Sequence, residues 1–428
     1  MKKLLALLII LSLISILYAN GMQEAIDKNS DSVYVANSKL GFSIEVAGKA
    51  DDFTLSVPSQ LLYFLPLEKS DNTLSSKELG ITFEGPFPGK VIFNQYSYSE
   101  ELIFNTVSRN KTKYYERPQE INRPQRVEQE IEIILRDGAI LSGTLTAKPN
   151  TNSKKVVVLI SGSGSQDRDS FIANHKIFQV LSDSIITQDI ATFRFDDRGV
   201  GKSTKPNESF TTYDLADDVR EICNELKRLG YEDIILLGHS EGAIIASIIA
   251  SSDSSIYATI LLSPPAISGK EILIDQNRTA YQNLGVDNNT IESILSILSI
   301  AYDYLINQDS DSALKYLEMI LGPSAKSTIK ALETPWYRTF LALNPAEYMN
   351  KIHCPTLAIL GINDKQVSYK LNKEPLEDAL GKENVLFLEG INHILQYSNS
   401  GNTDEYGLIE ETVNENILNS IKEFLCTI

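Results

Sequence analysis

The chain is poor in the residues that support disulfide and metal chemistry. Its 428 residues include three cysteines, four histidines, four methionines and one tryptophan. Cys223, Cys354 and Cys426 show no CxxC pairing and no metal-ligand spacing, so neither a disulfide framework nor a structural zinc site organises the fold. Cys223 falls on the apolar side of a helical pattern and reads as a small buried hydrophobe. Cys354 and Cys426 are the pair that an oxidising compartment would allow to bridge. Basic residues are few against acidic ones, 39 against 56, and the formal net charge is −17. That balance argues against nucleic acid and anionic membrane surfaces as partners. The apolar run Leu4 to Leu17 is short for a bilayer span. Lys2 and Lys3 before it and Tyr18-Ala19 after it read instead as a secretory signal over residues 1–19, cleaved after Ala19. The expectation is an exported protein, periplasmic or secreted, with no membrane span in the mature chain; an uncleaved N-terminal anchor is the alternative. Repeats and low-complexity tracts are absent, and the sequence leaves the oligomeric state open.

At 43% hydrophobic and 22% charged residues, the composition supports a sizeable core. Residues 20–120 read as a small, mostly β accessory domain. Short strands at Val33–Val35, Phe42–Val46, Phe53–Leu55, Ile81–Phe83 and Val91–Phe93 are punctuated by Gly, Pro, Asn and Asp. This stretch holds no His and no Cys, so its expected role is packing rather than chemistry. A Pro-marked connector (Tyr115 to Gln125) leads into residues 121–428. There Val127–Leu135, the turn Arg136-Asp137-Gly138 and Ile140–Leu145 form a β-hairpin. Buried strands then alternate with helices, the mark of a mostly parallel sheet with helices on both faces. Strands are expected at Val156–Ser161, Ala191–Phe195, Ile234–Leu237, Ala258–Leu262, Thr356–Leu360 and Val385–Leu388. Helices are expected at Lys176–Thr187, Tyr213–Leu229 and Leu408–Leu425. Between Leu262 and Thr356 the pattern is helical (Ile291–Ile306, Asp311–Leu321, Ala325–Leu332), so about 266–350 reads as a helical cap inserted into an α/β domain.

The centre of that domain is Gly238-His239-Ser240-Glu241-Gly242, which follows the apolar run Ile234–Leu237 and precedes small and apolar residues. Strand, sharp turn and helix in succession make a nucleophile elbow, with Ser240 at positive φ above the carboxyl edge of the sheet. Gly238 and Gly242 flank it because side chains there would collide as strand and helix close. A nucleophilic serine needs a base, an orienting acid and two oxyanion donors. With four histidines, elimination is feasible. His239 lies inside the elbow and points toward the sheet, His175 begins a helix, and His353 precedes a buried strand. His393 lies in the loop Glu389–Leu395 directly after the last strand, where a parallel sheet places catalytic groups, and is the candidate base. Asp364, in the loop after Thr356–Leu360, is the candidate acid, which gives the chain order Ser, Asp, His. The N–H of Glu241 is one candidate oxyanion donor. The other is the N–H of Ser163 in Ser161-Gly162-Ser163-Gly164-Ser165, whose glycines allow close backbone approach. Read as a phosphate loop, that segment lacks a third Gly and a Lys-Ser/Thr continuation.

The segments G-S-G-S-Q-D-R-D (162–169), F-R-F-D-D-R-G-V-G-K-S (193–203), G-H-S-E-G (238–242), L-G-I-N-D-K-Q-V (360–367) and G-I-N-H (390–393) together resemble the α/β-hydrolase superfamily. Within it they resemble secreted bacterial serine esterases, of the dienelactone-hydrolase-like or acyl-hydrolase group, with an extra N-terminal domain. The resemblance covers roughly residues 125–428. It implies the α/β-hydrolase fold, with Ser240 as nucleophile, Asp364 as acid and His393 as base. It also implies hydrolysis of carboxylic esters, with amides, thioesters or lactones as further substrates in the family. The family often carries His-Gly where this chain has Ser161-Gly162. In the Asp196–Ser203 segment, Arg198 is expected to pair with Asp167 or Asp169.

The expected activity is acyl transfer to water through a Ser240 acyl-enzyme, on a small-molecule ester, with no cofactor and no metal. A peptidase, amidase or thioesterase on the same fold is the alternative enzyme, and a non-catalytic binding module the alternative class. Trp336, Tyr337 and Phe340, the densest aromatic cluster, either line an acyl pocket or pack the cap. The Glu241 carboxylate should disfavour anionic substrates unless a cation such as Arg198 neutralises it or it points away.

Overall fold

The computed structural model describes residues 32–39, 43–49, 52–57, 62–76, 80–95, 98–108, 117–205, 209–283 and 285–428. The expected signal segment, residues 1–19, lies outside them. Two compact units result, Met1–Tyr115 with Asn277–Glu333, and Glu116–Gln276 with Thr334–Ile428.

In the first unit, the β-rich N-terminal region is a nine-stranded antiparallel sheet of its own. The five strands expected from alternation fall within Ser32–Asn37, Ser43–Lys49, Asp52–Val57, Ile81–Glu84 and Lys90–Gln95, except for Phe42, which lies outside the described residues. Lys90–Gln95 shows why they were readable: Val91 and Phe93 are buried while Lys90 and Ile92 face out. Four more strands, Leu62–Ser70, Thr73–Ser76, Tyr98–Ile103 and Asn105–Ser108, carry Pro66 or charged and polar runs that hide the period. Ile44, Leu55, Phe83, Phe93 and Phe104 belong to one buried cluster. The same unit holds three helices, Asn288–Ile306, Ser310–Leu321 and Ala325–Leu332, at the places their periodicity predicts. Asp287 and Asp309 cap the first two by accepting from Thr290 N and Ser312 N.

The second unit is built on eight strands: β1 (Val127–Ile134), β2 (Ile140–Ala147), β3 (Lys155–Ile160), β4 (Ala191–Phe195), β5 (Asp233–His239), β6 (Ile256–Leu262), β7 (Thr356–Gly361) and β8 (Val385–Leu388). Their spatial order is β1-β2-β4-β3-β5-β6-β7-β8. The β1–β2 and β2–β4 pairs are antiparallel and all others parallel. The order reverses at β3 and β5, so the loop after β3 and the turn after β5 face each other across the switch point, where open α/β sheets place their sites. Its helices include α1 (Ile177–Ile186), α2 (Thr212–Arg228), α3 (Glu241–Ala250), α4 (Pro335–Ala342), α5 (Tyr369–Leu380) and α6 (Glu415–Thr427). Helix α2 begins at a capping box in which Thr211 and Asp214 exchange side-chain and backbone hydrogen bonds. This is the α/β-hydrolase fold.

Three local expectations need correction. The closing helix starts at Glu415, not Leu408, because Asn414 caps it through Asn416 N and the preceding residues are held instead by Arg117 and Gln119. His175 lies in a two-residue antiparallel ribbon, Phe171–Ile172 with His175–Lys176, ahead of α1. Arg198 pairs with Asp218 on α2 and Asp137 in the hairpin turn, both at 2.6 Å. Asp169 pairs with Arg194, and Asp167 accepts from the backbone N–H of Asp169 and Phe171. All three cysteines are free thiols, Cys223 buried and Cys426 exposed. No helix among the described residues is long and apolar enough to cross a membrane.

Candidate active site

Ser240 terminates β5 and precedes the first residue of α3, with φ 55° and ψ −117°. A residue with a Cβ is strained there, and the turn is fixed from both sides: Ser240 N donates to Leu262 O at 2.9 Å, and Ala243 N donates to Ser240 O at 2.9 Å. Both flanking glycines are required by close approach. A Cβ on Gly238 would overlap the Gly242 carbonyl, and one on Gly242 would overlap the Ile160 carbonyl at the end of β3. Ser240 is half-buried, and among the described residues its hydroxyl makes no hydrogen bond.

Asp364 and His393 meet. His393 Nδ1 lies 2.8 Å from Asp364 Oδ2, and both residues are buried, at 5% and 3% exposure. The second oxygen, Asp364 Oδ1, accepts from Gln366 N and Val367 N, each at 2.8 Å. The carboxylate is therefore oriented before it meets the imidazole, and its acceptor holds the proton of His393 on Nδ1, which leaves Nε2 as the basic nitrogen. Gly361 permits this loop, because a Cβ there would overlap the Ile391 carbonyl.

His239, which the sequence placed only as a structural residue, joins the two parts. Its Nε2 donates to the His393 carbonyl oxygen at 2.8 Å, and Ser263 Oγ donates to the same oxygen at 3.0 Å. A carbonyl only accepts, so His239 carries its proton on Nε2. Burial, with His393 close by, pushes its pKa down to about 4, so the ring is neutral.

The loop after β3 faces the elbow. A Cβ on Gly162 would stand 3.2 Å from Ser240 Cβ, a tight contact that glycine avoids as the two backbones approach. The loop is shaped by Asp197 after β4, whose carboxylate accepts from Ser161 Oγ at 2.9 and 3.0 Å and from Gln166 N at 2.8 Å. Asp197 is half-buried as a residue while its carboxylate is enclosed. Burial, together with nearby Glu241 and Asp196, pushes its pKa up to about 8 against the hydrogen bonds that lower it. Asp197 falls inside the D-D-R-G segment, so its place was marked in the sequence although its role was not. Among the described residues, neither Ser163 N–H nor Glu241 N–H donates a hydrogen bond.

The Glu241 side chain is 1% exposed. Its Oε1 accepts from Thr212 Oγ1 at 2.8 Å and from Trp336 Nε1 at 2.9 Å, and the carboxylate also accepts from the Ser163 side chain. Burial raises its pKa and these three bonds oppose the rise. Trp336 is presented by α4, which starts where Thr334 caps Tyr337 N and Pro335 takes the first turn. Four residues on, Phe340 stacks on it, with centroids 5.4 Å apart and planes at 16°. Tyr337, fully buried, meets Trp336 edge-on at 6.0 Å. Among the described residues no group of three or more His, Cys, Asp or Glu side chains is placed to hold a metal ion.

Residues 155–400 match the family described as alpha/beta hydrolase fold. Esterase EstD of Thermotoga maritima is 28% identical over 258 residues, 60% of this chain and 58% of that protein, so the chain spans little more than half the length of this relative. Of solved structures, the esterase Pf2001 of Pyrococcus furiosus aligns at 17% identity and a TM-score of 0.45, covering 72% of this chain and 95% of that one. An enol-lactonase from Burkholderia xenovorans aligns at 16% identity and a TM-score of 0.42, covering 69% and 100%.

Proposed function

The chain belongs to the alpha/beta hydrolase fold family, and on that premise we propose that it is a serine esterase. The observation that carries the reading is the 2.8 Å contact between the buried pair Asp364 and His393, with the His393 carbonyl bonded by His239, the residue before the strained Ser240. In this reading His393 Nε2 takes the Ser240 proton as the hydroxyl attacks the ester carbonyl. The N–H groups of Ser163 and Glu241 hold the oxyanion, and neither is engaged elsewhere among the described residues. His393 then gives the proton to the leaving alcohol, and a water repeats the sequence to release the acid. Trp336 and Phe340 form a wall of the acyl pocket, with Tyr337 packed behind them. The cap reading of residues 266–350 rests on residues 266–276 and 334–350, α4 among them, which share a compact unit with the elbow.

An ester rather than an amide substrate is favoured by the similarity to esterase EstD. Export through a signal over residues 1–19 is part of the same reading, and the N-terminal mass of the natural secreted form tests it. The activity is tested by p-nitrophenyl acetate and butyrate against matched p-nitroanilides, together with a fluorophosphonate label located by peptide mapping. Turnover of the esters with the label on Ser240 supports the reading. Preferential turnover of the anilides moves it to an amidase, and absence of both label and turnover returns it to a binding module.

A further inference from the structure

Four separate segments meet at the carboxylate of Glu241. Thr212 opens α2, Trp336 lies on α4, Ser163 lies in the loop after β3, and Glu241 itself opens α3 beside Ser240. Each of the first three sends a neutral donor to that carboxylate. No cation pairs with it among the described residues; Arg198, the one the sequence offered, is occupied by Asp218 and Asp137. The chemistry of the partners fixes what this position requires. An indole N–H can only donate, and a hydroxyl that gives its proton to a carboxylate is fixed in direction. Three inward-pointing donors need an acceptor with several lone pairs, and a buried donor left without one costs its full desolvation.

We propose that the Glu241 side chain is a positioning residue for the oxyanion loop and the aromatic wall, distinct from the role of its own N–H. By accepting from Ser163 Oγ it fixes the rotamer of the residue whose N–H is the second oxyanion donor. By accepting from Trp336 Nε1 it sets the Trp336–Phe340 stack against the elbow. Thr212 anchors the same oxygen from the other side. The carboxylate is thus spent on internal donors instead of on substrate. This inference rests on the serine-esterase reading above.

The test compares Glu241→Gln with Glu241→Ala. Because Thr212 and Trp336 share one oxygen, a glutamine oxygen can serve both while its NH₂ donates to Ser163 Oγ. Gln should hold kcat for p-nitrophenyl butyrate within about threefold of wild type. Ala should lower kcat by about thirtyfold with little change in KM, a part of the 10²–10³ that loss of a whole oxyanion donor costs. Trp336 is the only tryptophan, so its emission reports the junction directly: shifted in the Ala variant, close to wild type in Gln. Should the Ala variant not fold, Thr212→Val and Trp336→Phe each remove one donor away from the elbow, and each should lower kcat about threefold to tenfold. An Ala variant with wild-type kcat and emission, or a Gln variant as impaired as Ala, overturns the proposal. So do Thr212→Val and Trp336→Phe both at wild-type kcat. In each of these cases wild type still labels at Ser240 and turns over ester, whereas an unlabelled, inactive wild type overturns the esterase reading itself.

Discussion

His239 Nε2 donates to the backbone carbonyl of His393 at 2.8 Å, so the residue before the proposed nucleophile holds the chain that carries the proposed base. Ser240 and His393 are 153 positions apart in the sequence yet are tied through one buried, neutral imidazole. The other nitrogen of that ring, His239 Nδ1, is buried and has no hydrogen-bond partner among the described residues. Such an orphan acceptor costs on the order of 1–3 kcal/mol, a penalty that a phenylalanine would not incur. His239→Phe should therefore leave melting temperature near or above wild type while kcat falls about fivefold to tenfold, as His393 loses one of its two backbone tethers. Steady-state kinetics beside a thermal melt separates the two effects. Unchanged kcat would mean that Ser263 Oγ alone holds the carbonyl.

Asp364→Asn should keep the fold and lower kcat by about 10³–10⁴. The reason is geometric. Gln366 N and Val367 N both donate to Asp364 Oδ1, so an asparagine must turn its oxygen toward them and its NH₂ toward His393 Nδ1. The imidazole then accepts at Nδ1 and carries its proton on Nε2, where it cannot take one from Ser240. A pre-steady-state burst with p-nitrophenyl butyrate checks this, since acylation itself should be slowed.

Much of this site was legible because each part leaves a mark on the sequence. Gly238 is there to admit the backbone of Gly242, and Gly242 to admit the end of β3, while Asp364 follows a mostly buried apolar strand and His393 a half-buried one. The loop after β3, proposed to supply an oxyanion donor, was marked by Gly162, whose backbone passes close to Ser240. What was not legible depends on side chains that meet only when the sheet closes. Nothing local says that Arg198 should choose Asp218 over Asp169, since all are charged residues near strand ends or helices. His239 reads as an ordinary inward side chain until the loop at His393 is laid across it. In the N-terminal sheet, the strand Leu62–Ser70 contains Pro66 and ends in charge, so local propensity contradicts the pairing that its neighbours impose.

Asp197→Asn should reverse part of a pH dependence of stability. In the folded chain this carboxyl holds its proton up to about pH 8, whereas in the unfolded chain it ionises near its ordinary value of about 3.9. Between those limits the folded state binds the extra proton, so this group makes wild type lose stability as pH rises from 4 to 8. Asparagine cannot ionise, and its oxygen can still accept from Ser161 Oγ or Gln166 N. The variant should gain on wild type progressively across that window, by several degrees in melting temperature at pH 8 and little at pH 4. A constant difference between the two proteins from pH 4 to 8 would show that Asp197 is ionised throughout.

The most direct test of the central claim is the hydrolysis of p-nitrophenyl butyrate by Ser240→Ala, at matched concentration and verified fold. Where a serine acts as nucleophile in a Ser-His-Asp set, its removal costs on the order of 10⁶ in turnover. Ser240→Ala is accordingly expected to leave hydrolysis at the background rate and to take up no fluorophosphonate. Retention of a tenth of wild-type activity would contradict the account, whatever the behaviour of the surrounding residues.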